Sequence, residues 1–145
     1  MKADFISTFE RVRQLFQTCP DPNSRLAGAG WCVKEILGHL IDSASNNYQR
    51  IQRYIPGGAL EFPGYDQEQC VRRSDYRSFD YGQLLDLWTT HNKLLFHLYD
   101  HIPREDLESK IKVGDNSAMS IRALMEDYFA HMKVHEKQVK EILAG

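Results

Sequence analysis

The stretch "WCVKEILGHLIDSASNNYQRIQRYIPGG", residues 31–58, decides how the rest of the chain is read. Val33, Ile36, Leu37, Leu40, Ile41, Ala44, Tyr48, Ile51 and Ile55 recur at helical spacing, which predicts a long helix with one apolar stripe. Pro56, Gly57 and Gly58 stop it. Residues 57–79 then carry Gly, Pro and several charges. A connection of that length is functional or partly ordered by short elements. It also lets the next helix run parallel to the one just ended, instead of folding back on it.

The same periodicity continues on either side. Phe5, Phe9, Val12 and Phe16, flanked by Ile6 and Leu15, predict a helix over about residues 3–18, and the prolines and glycines of "CPDPNSRLAGAG" break it. A third long helix is expected over about 80–101, with Leu84, Leu87, Trp88, Leu94, Leu95 and Leu98 on its buried side. "IPRED" closes it, and "LESKIKVGDNSAMS" reads as a loop with a short strand. A fourth, over about 119–143, is capped by Ser117 or Ser120. It buries Ile121, Leu124, Met125, Tyr128, Met132, Val139 and Ile142. Four long amphipathic helices predict an all-α four-helix bundle, one domain over residues 1–145, with a long crossover connection between its second and third long helices.

Charge and composition narrow the function classes. A formal net charge of −2 argues against a surface built for nucleic-acid phosphates. No segment approaches the roughly 18 apolar residues of a membrane span, and "MKADFISTFERV" lacks the apolar run of a secretory signal. Cys19, Cys32 and Cys70 form no C-x-x-C pair and read as reduced thiols of a cytoplasmic protein. Neither a nucleic-acid nor a membrane partner is expected. The aromatics Phe5, Tyr54, Tyr76 and Phe79 suggest a face for a homodimer.

The chemistry lies in the histidines. His131 and His135 are four residues apart near the inward side of the fourth helix. That spacing stacks two imidazoles on one face, where both can reach a single ion. The glutamate of the H-E-x-x-H protease motif is missing. His39 falls off its helix's apolar stripe, beside Asp42, Ser43, Asn46 and Arg50. That seam lines a polar cavity or is solvated surface, and the helical wheel slightly favours surface. His91 falls on the apolar face of the third helix and is a core histidine, a hydrogen-bonding neighbour of the site or a fourth ligand. His97 and His101 look solvent-facing.

Trp31, Glu35, His39 and Leu40 resemble the start of the second helix in the DinB-like, or YfiT-like, family of metal-dependent enzymes. "LMEDYFAHMKVHEKQV" resembles the family's closing H-x-x-x-H, and "GYDQEQCVRRSDY" and "LLDLWTTHNKLL" look like one branch of it. The resemblance covers nearly the whole chain. It implies a bundle holding a divalent metal through His39, His131 and His135. Two positions depart from the pattern: Cys32 stands where a Ser or Thr cap is expected, and His91 where related sequences are more often aromatic or apolar.

Three imidazoles leave an ion with open positions, as in catalytic sites, and all-nitrogen ligation suits zinc or nickel. The resemblance implies a thiol-dependent S-transferase acting on small electrophiles, since relatives use bacillithiol or mycothiol. A metal-dependent hydrolase working through metal-bound hydroxide, or a non-catalytic metal-binding bundle, are the alternatives. Asn46 or Asn47, together with Arg50, beyond His39, and Arg72 and Arg73 with Arg77 in the long connection, are candidates to bind the low-molecular-weight thiol or an anionic substrate, with Asn46 the first choice of the two asparagines. Asp42 and Asp127 are candidate acceptors for the second ring N–H of the ligands.

Overall fold

The computed structural model describes residues 2–26 and 30–145, so residues 27–29 of the first predicted break lie outside it. Helix α1 (Lys2–Gln17) buries Phe5, Thr8, Phe9, Val12 and Phe16 along one face. Helix α2 (Val33–Gln52) starts at Cys32, whose backbone N–H donates to Glu35 Oε1 at 3.1 Å. Glu35 therefore supplies the reciprocal bond of a capping box from the third helical position. Strand β1 (Ala59–Phe62) and helix α3 (Gln67–Ser74) occupy the long connection. A left-handed Asp75 and a 3-10 turn (Tyr76–Ser78) then lead into α4 (Tyr81–Asp100). After α4 come β2 (Lys110–Val113) and β3 (Met119–Ser120), and Ser120 Oγ caps α5 (Ile121–Ala144) by accepting from Ala123 N at 3.0 Å.

Helix directions follow from which ends meet. Lys34, at the start of α2, donates to the Arg77 carbonyl just before α4, and Tyr54, just past α2, donates to Asp106 beyond the end of α4. These two helices are therefore parallel. Lys2 pairs with Asp100, and Tyr81 donates to the Phe16 carbonyl, so α1 opposes α4. Phe5 stacks on Phe129 while Arg11 pairs with Glu136, so α1 and α5 run together. The bundle is up-down-down-up, as a long crossover between parallel neighbours requires.

The same crossover explains a small sheet. Both α2 and α4 leave the bundle at one end, so β1 and β2 pair in parallel, Ala59 opposite Lys110 through Phe62 opposite Val113. β3 joins antiparallel, in the order β1-β2-β3. The expectation of a short strand after the third long helix holds, whereas β1 was not expected. Its four residues are too few to show a period, and its partner lies about fifty positions away in sequence.

Trp88 is fully buried, stacked on Phe9 at 5.1 Å and edge-on to Phe16 at 5.8 Å between ring centroids. Three assignments to the core need correction: Ile55, Leu87 and Leu94 are each 46% exposed. On α4 the inward line is Leu84, Trp88, Asn92 and Leu95, and Leu87 and Leu94 lie roughly 100° around the helix from it. Asn92 takes an inward place because it bonds at both ends, donating to the Trp88 carbonyl and accepting from the Tyr128 hydroxyl. Of the four aromatics expected at a dimer face, Phe79 alone is exposed. Phe5 is core, and Tyr54 and Tyr76 are half-buried and hydrogen-bonded to Asp106 and Asp42.

Candidate metal centre

Helix α2 packs against both α4 and α5, so it is covered on two sides. Its apolar stripe meets one neighbour, and a second buried line of His39, Ser43, Asn47 and Arg50 runs beside it. His39 is 1% exposed. The wheel's preference for surface is overturned because a wheel weighs only one apolar face and cannot register a second, polar packing face.

His39 meets His131 and His135 of α5. The His39 and His131 Nε2 atoms are 3.0 Å apart, and those of His131 and His135 are 3.1 Å apart. The ligand atoms of all three rings lie within 4.8 Å of one another. An ion bound tetrahedrally at the usual zinc–nitrogen distance would hold such nitrogens about 3.3 Å apart. His135 Nδ1 lies 2.7 Å from Gln138 Oε1. An amide oxygen only accepts, so Nδ1 carries the proton and Nε2 presents a bare lone pair to the cluster. Trp31 lies against the His39 ring, centroids 4.7 Å apart. His39 Nδ1 is buried without a partner among the described residues.

Burial keeps these rings neutral. It pushes His39 down to about 3, helped by repulsion from His135 and His131. Burial and His135 bring His131 down to about 4, against a small opposing pull from Asp127. His135 is lowered by burial and partly restored by Gln138. Neutral imidazoles with converging lone pairs are the donor set that a divalent transition ion takes.

A cavity of about 260 Å³ opens beside the cluster, bounded by His131, Asp127, Tyr128, Asn47, Arg50 and Tyr65 among others. Of the residues expected at a cofactor site, Arg50 is on this wall. Asn46 is not: it is half-buried, and its amide donates to the Asp42 carbonyl at 2.8 Å. One position along the helix, Asn47 lines the cavity instead. Arg72 and Arg73 are exposed on α3 and stay off the wall, with Arg73 bonded to Gln69. The connection reaches the cavity through Gly64, Tyr65 and Gln67.

Asp42 accepts from the Tyr76 hydroxyl and not from an imidazole, while Asp127 lines the cavity and pulls on His131 through its charge. His91 is no part of the cluster. It is half-buried, edge-on to Tyr48 at 5.6 Å, with Nε2 unpartnered. Gln138 was not foreseen, although its place three residues after His135 was a readable signal. A second cavity of about 100 Å³, between the start of α1 and the end of α4, is apolar apart from the paired Lys2 and Asp100.

Fold and cluster together define a class: an up-down-down-up helical bundle with three histidines converging at the side of a polar cavity. A solved structure with this fold is YfiT from Bacillus subtilis, described as "a probable metal-dependent hydrolase with an unusual four-helix bundle topology". It superposes with a TM-score of 0.80 over 97% of this chain and 85% of that one, at 19% identity. The chain has the YfiT-like fold. No family model matches the sequence, and no curated protein does.

Proposed function

We propose that the protein is a metal-dependent enzyme acting on a small molecule, with His39, His131 and His135 as ligands of one divalent ion and the whole chain as one domain. The observation that carries this is the convergence of three neutral imidazoles beside a cavity of about 260 Å³. A structural site is closed by four protein ligands, whereas three leave a position facing substrate. Zinc or nickel fits the all-nitrogen set best. A bound ion would supply Lewis acidity, acidifying a thiol or a water at its open position. Around it, Gln138 orients His135, Trp31 shields His39, and Asn47 and Arg50 position the ligand in the cavity.

The finer reading is thiol S-transfer to a small electrophile, supported by the likeness of Trp31, Glu35, His39 and the closing H-x-x-x-H to the thiol-using family. Hydrolysis is the second reading. It is favoured by Asp127, a carboxylate on the cavity wall one turn before His131, placed to take a proton from water.

Tag-free protein analysed by elemental mass spectrometry should carry about one zinc or nickel ion per chain, and His39→Ala and His135→Ala should each carry almost none. Metal-loaded protein is then given thiols with electrophiles, and separately esters and amides. Thiol consumption that stops in His135→Ala supports transfer. Ester cleavage that falls in Asp127→Asn without metal loss supports hydrolysis. Wild type that takes up neither ion ends the enzyme reading.

A further inference from the structure

Arg50 is a buried charge with no counter-charge. It is 7% exposed and forms no ion pair among the described residues. Its one hydrogen bond among the described residues, Nη1 to Asn47 Oδ1, is long at 3.4 Å. The Tyr65 ring lies 5.8 Å from its Cζ and gives weak cation–π support. A guanidinium has five donors, and a buried charge is retained at a cost unless something pairs with it. The fold supplies no such partner, and Arg50 lines the cavity beside His131.

Charge and size describe the missing partner. Arg50 and Asp127 are the cavity's charged residues, and the side chains between them are neutral. A monoanion neutralises Arg50, whereas a phosphate dianion would add excess negative charge beside Asp127. The planar fork of a guanidinium matches a carboxylate oxygen for oxygen. The volume, about 260 Å³, falls below the roughly 300–1,000 Å³ of a pocket for a drug-sized ligand. Along α2, Arg50 sits about 16 Å beyond His39, and helical side chains lean back toward the N-terminus. The guanidinium therefore reaches toward the cluster from the far end of the cavity.

We propose that this cavity binds a small monocarboxylate, its carboxylate forked onto Arg50 and its opposite end directed at His131. The inference rests on the metal-enzyme reading for what happens at that opposite end, but the anion site itself does not need the ion.

Calorimetry on the full chain, wild type and variants, with metal content measured in parallel, separates the two. The probes are butyrate, hexanoate and benzoate, their primary amides, and inorganic phosphate. At least one acid should bind, with its amide at least tenfold weaker. Arg50→Gln should lose about tenfold to a hundredfold in affinity, the range for a charge-assisted bond. Binding should persist in His135→Ala, so loss of the metal leaves the carboxylate site standing. Without any probe, Arg50→Met should melt at the wild-type temperature or above, because an unpaired buried charge gives way to an apolar chain of similar length. The inference is overturned if Arg50→Met melts several degrees lower, which marks a structural arginine. It is also overturned if acids and amides bind alike, if no acid binds, if binding disappears in His135→Ala, or if phosphate binds more tightly than every acid.

Discussion

At the scale of single residues, the site depends on three rings staying uncharged. In an unfolded chain an imidazole takes up a proton near pH 6.5, while in the fold His39 resists until about 3 and His131 until about 4. Between these limits the unfolded chain binds more protons than the folded one. Stability of the metal-free protein should therefore fall as pH drops from about 6.5 toward 4, and should not change on this account above 6.5. Urea midpoints with chelator present at pH 7.5 and pH 5.0 test this, and His39→Gln should flatten the slope. An acid slope that His39→Gln leaves unchanged would mean that this ring is not the group the fold holds neutral.

Gln138 belongs to the same scale. Its side-chain oxygen fixes the tautomer of His135 from outside the cluster, and such supporting bonds typically contribute tenfold to a hundredfold in metal affinity. Gln138→Ala should weaken metal binding by about that factor in a chelator competition and leave the metal-free melting temperature within a degree or two. Equal losses in both would make Gln138 a packing residue.

At the scale of elements, α2 sits between its neighbours with almost no clearance. A Cβ on Gly38 would strike the ring of Tyr76, whose hydroxyl binds Asp42 one turn further along. This glycine is where the 3-10 turn after α3 lies down on α2. Gly38→Ala should cost about 1–3 kcal/mol, the range for overpacking, although alanine is the better helix former. Urea unfolding reads the cost, and Tyr76→Ala in the same chain should recover part of it by removing the obstacle. No recovery would place the strain elsewhere.

Elements also divide what the sequence reveals from what it conceals. The four long helices are legible because each repeats an apolar residue every turn over 16 or more positions. The Ser120 cap was readable for the same local reason, whereas α2 ends at Gln52, ahead of the stop expected at Pro56, which leaves Ile55 outside the helix. β1 and α3, four and eight residues long, are defined by partners elsewhere and show no period of their own. His131 and His135 could be paired from their spacing alone. That His39 joins them required either the family likeness or the structure, since its burial comes from a second helix packing on a polar face. Choosing Asn47 over Asn46 at the cavity needed an angular resolution of one residue, which a wheel drawn on an uncertain apolar centre does not give.

At the scale of the whole molecule, the three clustered histidines lie on two helices that meet only in the fold, with His39 and His131 92 positions apart in sequence. An ion bound there would tie α2 to α5, and it would bind the folded state alone because the unfolded chain does not present the site. Stabilisation then grows with the logarithm of free metal, reaching about 4 kcal/mol at a thousandfold excess over the dissociation constant. For a chain of this length that is a rise of roughly 10 °C or more in melting temperature. His97 and His101 supply an internal control. They are neighbours at the C-terminal end of α4, where His101 caps the helix, with ring centroids 4.2 Å apart and both exposed, so they can chelate additional zinc without joining two elements. A titration with zinc should therefore separate uptake from stabilisation. The double variant His97→Ala/His101→Ala should lower uptake at high zinc and keep the full thermal shift, whereas His39→Ala should keep the weak uptake and lose the shift. A thermal shift that follows the α4 pair would mean that the stabilising ion does not bridge α2 and α5, and the buried cluster would then have to be explained without a metal.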